Sequence, residues 1–189
     1  MPHADFDRFY RYAELTEVLQ GFAREHPQLV TIESIGRSHE GRDIWVLTVT
    51  NAATGVAEDK PAFWVDGNIH STEVAASAAS LYFLHTLVRG HGRDADITRA
   101  LDTRVFYLCP RINPDGAEWA LADHPRWVRS STRAYPFDEE AVEGLSIEDI
   151  NGDGRILQLP TEDSYGSRNA HPAEPHLMVR RDQLGQGGA

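Results

Sequence analysis

A short apolar run that leads directly into an alanine-rich segment limits most strongly what this chain can fold into. The run "PAFWVDG" (residues 61–67) has the length and residue types of a strand buried on both faces, and it predicts a central β-strand. The segment "VAASAASLYFLHTLV" (residues 74–88) has apolar residues at helical spacing and is followed by Gly90 and Gly92, so it predicts a helix. "RVFYLCP" (residues 104–110) predicts the next strand. Strand, helix and strand in succession favour an α/β sheet.

The flanking sequence supplies further elements of this α/β fold. Apolar residues recur every three to four positions between Tyr12 and His26 and predict an amphipathic helix. "LVTIESIG" and "DIWVLTVT" predict the two strands of a hairpin, because they are rich in β-branched residues and the turn between them contains Gly41. "PDGAEWALA" predicts a short helix with Pro114 in its first turn. The expected fold is a mixed β-sheet flanked by helices.

The character of the sequence changes after about residue 123. The remaining sequence is poor in aliphatic residues and rich in Gly, Pro, Asp and Glu, which predicts loops and short turns. We therefore predict a single domain over residues 1–189, with its core at residues 10–133 and a loop-rich segment at residues 134–189.

Composition restricts the partners and the location of this domain. The chain has 189 residues, of which 41% are hydrophobic, and this is enough for one domain with its own core. With 18 basic and 29 acidic residues its formal charge is −11, which argues against a nucleic acid or an anionic membrane as partner. Cys109 is the single cysteine and cannot form an internal disulfide, and the apolar runs are shorter than the ~20 residues that span a bilayer. We predict a cytoplasmic location, with secretion as the alternative.

Two polar residues stand where the predicted strand gives way to the predicted helix. His70 and Glu73 are three positions apart, so at the start of a helix their side chains share one face, with Cβ atoms roughly 5–6 Å apart. An imidazole nitrogen and a carboxylate oxygen placed in this way can bind one metal ion. The alternative is that Glu73 interacts with the positive N-terminus of the helix while His70 lies in a surface turn.

The spacing alone does not decide between metal ligands and surface residues. With 9 His and 14 Glu in the chain, about 0.7 such pairs arise by chance. His171 and Glu174 have the same spacing, but prolines flank them and no periodic sequence surrounds them, so nothing would fix their side chains. The position at a strand end favours His70 and Glu73, because functional groups of α/β proteins collect at the carboxyl ends of strands.

Four segments that follow one another along the chain strengthen the metal-site hypothesis. "RSHEGRDIWVLTV", "FWVDGNIHSTEVAASAASLYFL", "YLCPRINPDGAEWAL" and "WVRSSTR" resemble the zinc carboxypeptidases of the carboxypeptidase A type, over most of residues 10–133. The resemblance implies that zinc is the cofactor, that His70 and Glu73 are two of its three protein ligands, and that a peptide is the substrate. It also implies that Arg129 polarises the scissile carbonyl and stabilises the oxyanion, a role that suits the fixed donors of a guanidinium.

The same resemblance implies site residues that this sequence does not supply. The family pattern continues with an Asn-Arg pair for the terminal carboxylate of the substrate, a third zinc ligand His, a Tyr and a Glu general base. No Asn-Arg dipeptide occurs here, and His171 and His176 fall in predicted loops, so neither is assigned as the third ligand. We therefore expect an incomplete zinc-carboxypeptidase-like domain, in which Asn113 and the three residues after it form a turn that shapes the active-site wall.

A second ion site is predicted in the loop-rich segment. "EDINGDGRIL" places Asp149, Asn151 and Asp153 at alternate positions before Gly154, as in the first half of a calcium-binding loop. The twelfth position of such a loop, where a bidentate glutamate would bind, is Pro160. Calcium is therefore a second candidate cofactor, and ordinary Asx turns are the alternative.

These observations favour a zinc-dependent metallocarboxypeptidase-type hydrolase that removes C-terminal residues from peptides. Two alternatives stay open at this point. An N-acyl amino acid deacylase of the aspartoacylase type would use the same zinc chemistry on a small substrate. A non-catalytic, calcium-stabilised binding module would need neither the third zinc ligand nor the general base.

Overall fold

A computed structural model describes residues 4–126, 128–131, 149, 152–154, 165–174 and 177–180. The chain divides into two compact units, residues 1–156 and residues 157–189. No helix in the described residues is both long and apolar enough to cross a lipid bilayer.

The first unit contains the helices and strands that the sequence predicts, together with one further helix. Their bounds are α1 Tyr12–Glu25, β1 Val30–Arg37, β2 Asp43–Val49, β3 Ala62–Asp66, α2 Ala75–Gly90, α3 Ala95–Thr103, β4 Val105–Cys109 and α4 Pro114–Ala120, with short 3₁₀ turns at Ala52–Thr54 and Ala57–Asp59. In the second unit, β5 Arg168–Ala170 and β6 Met178–Arg180 pair in antiparallel orientation. This short hairpin lies in a segment for which the sequence predicted only loops and turns.

The strands of the first unit form one mixed sheet in the order β1-β2-β4-β3. β1 pairs antiparallel with β2, β2 pairs antiparallel with β4, and β3 pairs parallel with β4. The parallel pair requires a crossover, which α2 and α3 provide. The predicted mixed α/β fold is confirmed.

The strand within residues 61–67 lies at an edge of this sheet, so the prediction of a central strand buried on both faces is wrong. In the described sheet β2 and β4 occupy the interior positions, and β4 pairs with both β2 and β3. Phe63 and Trp64 of β3 are 56% and 49% exposed. The apolar run suggested burial, but burial depends on which strands pair, and residues distant in the sequence decide that pairing.

The core lies between one face of the sheet and the first three helices. Leu47 and Val49 of β2 pair with Leu108 and Phe106 of β4, so these four side chains share a face. The helices add Leu15, Leu19 and Phe22 from α1, Leu81, Leu84, Leu87 and Val88 from α2, and Leu101 from α3. Each fully buried side chain of this kind contributes roughly 1.5–3 kcal/mol. The cluster therefore holds α2, and with it the loop that precedes α2, firmly against the sheet.

Helix α3 was not expected from the sequence. Its N-cap is Asp94, whose carboxylate accepts hydrogen bonds from the N–H groups of Asp96 and Ile97. Leu101 is fully buried, and Gly90 at the end of α2 leaves room for the Ile97 side chain, which a Cβ at that position would displace. The aspartate cap was a usable signal, but the nine-residue helix has too few apolar positions to show a clear periodicity.

Asp115 links the turn of the first hairpin to the start of α4. Its carboxylate accepts hydrogen bonds from Ser38 Oγ at 2.7 Å, from the Glu40 N–H at 3.0 Å and from Arg42 Nη1 at 2.7 Å. Burial alone would raise the pKa of Asp115, but these hydrogen bonds and the charge of Arg42 together outweigh burial and lower that pKa. The carboxylate is therefore ionised and satisfied although Asp115 is only 2% exposed.

Arg111 is a buried cation that has no carboxylate partner in the described structure. Its Nε donates to Ser77 Oγ at 3.2 Å, while its Nη1 is buried and has no hydrogen-bond partner. Burial lowers the pKa of Arg111 to about 10. Because a buried unpaired charge is unfavourable, Arg111 costs the fold stability, whereas Arg42 stabilises it.

We predict that methionine substitutions of these two arginines change stability in opposite directions. Arg42→Met leaves the buried Asp115 carboxylate without its cation, and we expect the free energy of unfolding to fall by about 3 kcal/mol. This value is at the lower end of the range for broken buried ion pairs, because Arg42 is partly exposed. Arg111→Met removes an unpaired charge, and we expect a gain of about 1 kcal/mol. Urea unfolding at pH 7 measures both, and a loss of equal size in the two variants would contradict this account.

We also predict that the contribution of Asp115 disappears in acid. Its folded-state pKa lies below its unfolded-state value, so its stabilising effect is fully present above the unfolded pKa of ~3.9 and is lost as the pH falls through the folded pKa. Urea unfolding of the wild type and of Asp115→Asn should differ at pH 7, and the difference should shrink below about pH 4. A difference that stays constant with pH would mean that the ionised carboxylate is not the stabilising group.

Candidate metal centre

The loop between β3 and α2 begins at a position that only glycine can occupy. A Cβ on Gly67 would lie 2.9 Å from the backbone of Ala76 and 3.1 Å from the carbonyl oxygen of Pro110. Gly67 also continues the pairing of β3, since its N–H donates to Cys109 O and its carbonyl accepts from Ile112 N. The close approach at Gly67 brings the strand end, the start of α2 and the end of β4 together at one place.

The next residue, Asn68, has a backbone conformation that is rare for a residue with a side chain. Its φ is +58°, in the left-handed region, and the residue is 1% exposed. Its Nδ2 donates to the carbonyl oxygens of His70 at 2.7 Å and Ser71 at 3.3 Å. The Glu73 N–H donates to His70 O at 3.2 Å, which closes the turn. These bonds fix the backbone that carries both candidate metal ligands.

The side chains of His70 and Glu73 point at each other. Nδ1 of His70 and Oε2 of Glu73 lie 2.8 Å apart, and the side chains are 27% and 55% exposed. Two ligands of a tetrahedral zinc ion, each at about 2.0–2.2 Å from the metal, stand roughly 3.4 Å apart. A small rotation of the exposed Glu73 side chain would provide that separation, so the pair fits as two ligands of one zinc ion. Within the described residues no group of three or more metal-binding side chains occurs.

The His171–Glu174 pair, which has the same spacing, is arranged differently. His171 follows β5, and its Nδ1 accepts hydrogen bonds from the backbone N–H groups of Ala173 at 3.3 Å and Glu174 at 3.2 Å. That ring nitrogen therefore stabilises the turn between β5 and β6 and is not directed at a carboxylate. His176 lies outside the described residues.

The backbone of Arg129 lies against the loop that carries His70. Its carbonyl oxygen accepts a hydrogen bond of 2.8 Å from the Ser71 N–H, one residue beyond His70. Ser71 is fully buried, and the Arg129 residue is exposed. The structure thus brings the three residues predicted for the zinc site to one region, while the catalytic role of Arg129 and the zinc ligation by His70 and Glu73 stay predictions.

Asn113 is a residue of this region whose connections the sequence did not reveal. Its Nδ2 donates to the Ile69 carbonyl at 3.2 Å, and its Oδ1 accepts from the Gly116 N–H at 2.9 Å and from Ser131 Oγ at 2.8 Å. Gly116 packs so closely that a Cβ there would clash with Ser71 Oγ. The Asn-Pro-Asp-Gly sequence predicted the start of a helix, and this is confirmed. It did not predict the hydrogen bonds of Asn113 to Ile69 and Ser131, which lie outside α4.

The described part of the predicted calcium loop has the hydrogen bonds of an Asx turn. The Asp149 carboxylate accepts from the N–H groups of Gly152 at 2.7 Å and Gly154 at 2.6 Å, and both glycines have positive φ values, 74° and 83°. Asn151 lies outside the described residues. Calcium binding by Asp149, Asn151 and Asp153 therefore stays a prediction.

Comparison with known proteins agrees with the resemblance seen in the sequence. Residues 15–145 match the zinc carboxypeptidase family. The chain is 30% identical to pig (Sus scrofa) carboxypeptidase A1 over 129 residues, which cover 68% of this chain and 30% of that protein. It is 32% identical to carboxypeptidase B of Astacus astacus over 130 residues, which cover 68% of this chain and 41% of that protein. The structure of carboxypeptidase A from Helicoverpa armigera superimposes with a TM-score of 0.59 at 29% identity, over 69% of this chain and 31% of that one.

The chain belongs to the zinc carboxypeptidase family. It spans about 30% to 41% of the length of the curated relatives named above. Nothing in these matches supports a deacylase of the aspartoacylase type or a calcium-stabilised binding module.

We predict that zinc binding depends on His70 and not on His171. The change His70→Ala removes a ligand nitrogen, so we expect zinc affinity to fall by more than the ~10–100-fold that loss of an outer hydrogen-bond partner costs a metal site. The matched variant His171→Ala removes an imidazole with the same spacing to a glutamate, and we expect no change in affinity. Isothermal titration calorimetry with zinc compares the two variants, and equal losses would refute the assignment.

Proposed function

We propose that this chain supplies two zinc ligands and one substrate-polarising residue to a metallocarboxypeptidase-type hydrolase that removes C-terminal residues from peptides. The observation that carries the proposal is the convergence of His70 Nδ1 and Glu73 Oε2 at the carboxyl end of β3, in a chain of the zinc carboxypeptidase family. The names of the relatives, carboxypeptidase A1 and carboxypeptidase B, support a peptide as the substrate class.

The two proposed ligands have distinct tasks. The imidazole of His70 would bind the ion with Nδ1 as a neutral donor, and the Glu73 carboxylate would offset part of the positive charge. When bound, zinc would supply a Lewis acid for the scissile carbonyl. Two hydrogen bonds from Asn68 hold the loop backbone in place, so little ordering of the backbone would be needed when zinc binds.

Arg129 is proposed as the residue that binds the developing oxyanion. A guanidinium presents several N–H donors in a fixed plane, which suits an oxygen whose negative charge grows during the reaction. The hydrogen bond from Ser71 N to Arg129 O supports this role, because it anchors the arginine backbone beside the proposed ligands. Loss of one such donor typically costs about 10²–10³ in kcat.

The third zinc ligand and the general base are not assigned to any residue of this chain. We therefore expect the 189-residue chain to hydrolyse peptides more slowly than complete family members, by at least the ~10²–10⁴-fold that positioned proton transfer contributes. Product detection by mass spectrometry suits such low rates.

We predict that Arg129→Ala lowers zinc-dependent peptide hydrolysis by about 10²–10³-fold and leaves zinc affinity unchanged. The substrate is an N-terminally blocked dipeptide with a free C-terminus, and its C-terminally amidated form should not react. The matched control is Arg126→Ala, because the Arg126 guanidinium is occupied over the Trp119 ring, 5.2 Å from the centroid. We expect this control to keep the wild-type rate.

Two results would contradict the proposal. Equal cleavage of the free and amidated peptides would exclude a carboxypeptidase. Hydrolysis of an N-acyl amino acid, with no hydrolysis of the dipeptide, would favour the deacylase alternative.

A further inference from the structure

Three separate segments meet at the side chain of Asn113. Its Nδ2 donates to the carbonyl of Ile69, the residue immediately before His70. Its Oδ1 accepts from Ser131 Oγ, two residues after Arg129. The hydrogen bond from Ser71 N to Arg129 O joins the same two segments a second time. Hydrogen bonds therefore connect each of three segments to the other two. These segments are residues 69–73 (the metal-ligand loop), the start of α4 at Asn113, and residues 129–131 (the Arg129 segment).

The chemistry of this junction requires a side-chain amide. An amide donates through its nitrogen and accepts through its oxygen, so one residue can satisfy the Ile69 carbonyl on one side and the Ser131 hydroxyl on the other. An aspartate at position 113 would still accept from Ser131 and from the Gly116 N–H, but it could not donate to Ile69.

Capping of α4 does not account for the amide. An aspartate, a serine or an asparagine can all cap the N-terminus of a helix with similar effect, and the cap bond to the Gly116 N–H uses only the oxygen of Asn113. Among these capping residues, only asparagine has a side-chain NH₂ group. In Asn113 this group donates to the carbonyl of Ile69 in the metal-ligand loop.

We propose that Asn113 is a positioning residue that sets the separation between the His70–Glu73 pair and Arg129. This inference rests on the function proposed above and concerns a residue other than the two proposed zinc ligands and the proposed oxyanion donor. The Ile69 carbonyl belongs to the peptide unit that leads into His70, so its bond to Asn113 restrains the direction of the imidazole. A displacement of about 1 Å between catalytic groups can cost ~10²-fold in rate, which is the reason such a restraint matters.

The test uses Asn113→Asp, which keeps the size, the helix cap and the acceptor for Ser131, and removes only the donor to Ile69. Zinc affinity is measured by calorimetry, and backbone order is measured by amide hydrogen exchange at Ser71 and Glu73. We expect about a tenfold or greater loss of zinc affinity and faster exchange at both amides. The added negative charge alone would strengthen the binding of a cation, so weaker binding reports the lost restraint.

Ser131→Ala is the matched variant, because it breaks the other arm of the junction and leaves the bond to Ile69 intact. We expect unchanged zinc affinity and unchanged exchange at Glu73 in this variant, together with a reduced kcat for the dipeptide. Thermal unfolding of both variants shows whether either change is a general loss of stability.

The outcomes separate the inference from the function on which it rests. Zinc binding and loop exchange that are the same in Asn113→Asp as in the wild type would overturn the positioning role alone. A wild type that does not bind zinc would overturn the proposed function, and the exchange rates at Ser71 and Glu73 would then decide whether Asn113 orders this loop.

Discussion

The buried carboxylate of Asp115 is the interaction on which the arrangement of the candidate site depends. It joins the hairpin turn at Ser38 and Arg42 to the first turn of α4, across more than 70 residues of sequence. Asn113 is the N-cap residue of α4, and its side chain donates a hydrogen bond to the carbonyl of Ile69 in the metal-ligand loop. Because the carboxylate is ionised and fully hydrogen-bonded in a nearly dry position, a shift of α4 would leave a buried charge unsatisfied. The position of α4, and through it the loop that carries His70, is thereby tied to the sheet.

The two His-x-x-Glu sequences show that the same residue spacing gives different side-chain contacts when the backbone conformation differs. At His70, a left-handed Asn68 folds the loop so that the imidazole faces a carboxylate. At His171, the same spacing lies in a tight turn between two short strands, and backbone amides occupy the ring nitrogen. A free backbone donor close to an imidazole competes with any other partner, so the local turn decides what the histidine can bind.

Much of the fold could be predicted from the sequence, because periodicity is a local property. The repeat of apolar residues located α1 and α2, and β-branched runs located the hairpin. The edge position of β3 could not be predicted in this way, since it depends on pairing with β4, some 40 residues away. For the candidate site, His70, Glu73 and Arg129 were found by resemblance. The bonds of Asn113 were not found, because a side-chain amide that contacts a carbonyl 44 residues away leaves no spacing pattern.

Within the described residues, the outer edge of β3 has no partner strand and is open to pairing with a further strand. No described strand pairs with that edge, so alternate N–H and C=O groups face outward, and Phe63 and Trp64 add exposed apolar surface. Such an edge is a template on which a strand from another molecule can add. The formal charge of −11 opposes this association, but at physiological ionic strength charges are screened beyond about 8 Å. Added salt weakens this repulsion, so pairing of a further strand with the open edge of the described sheet becomes more favourable as the ionic strength rises.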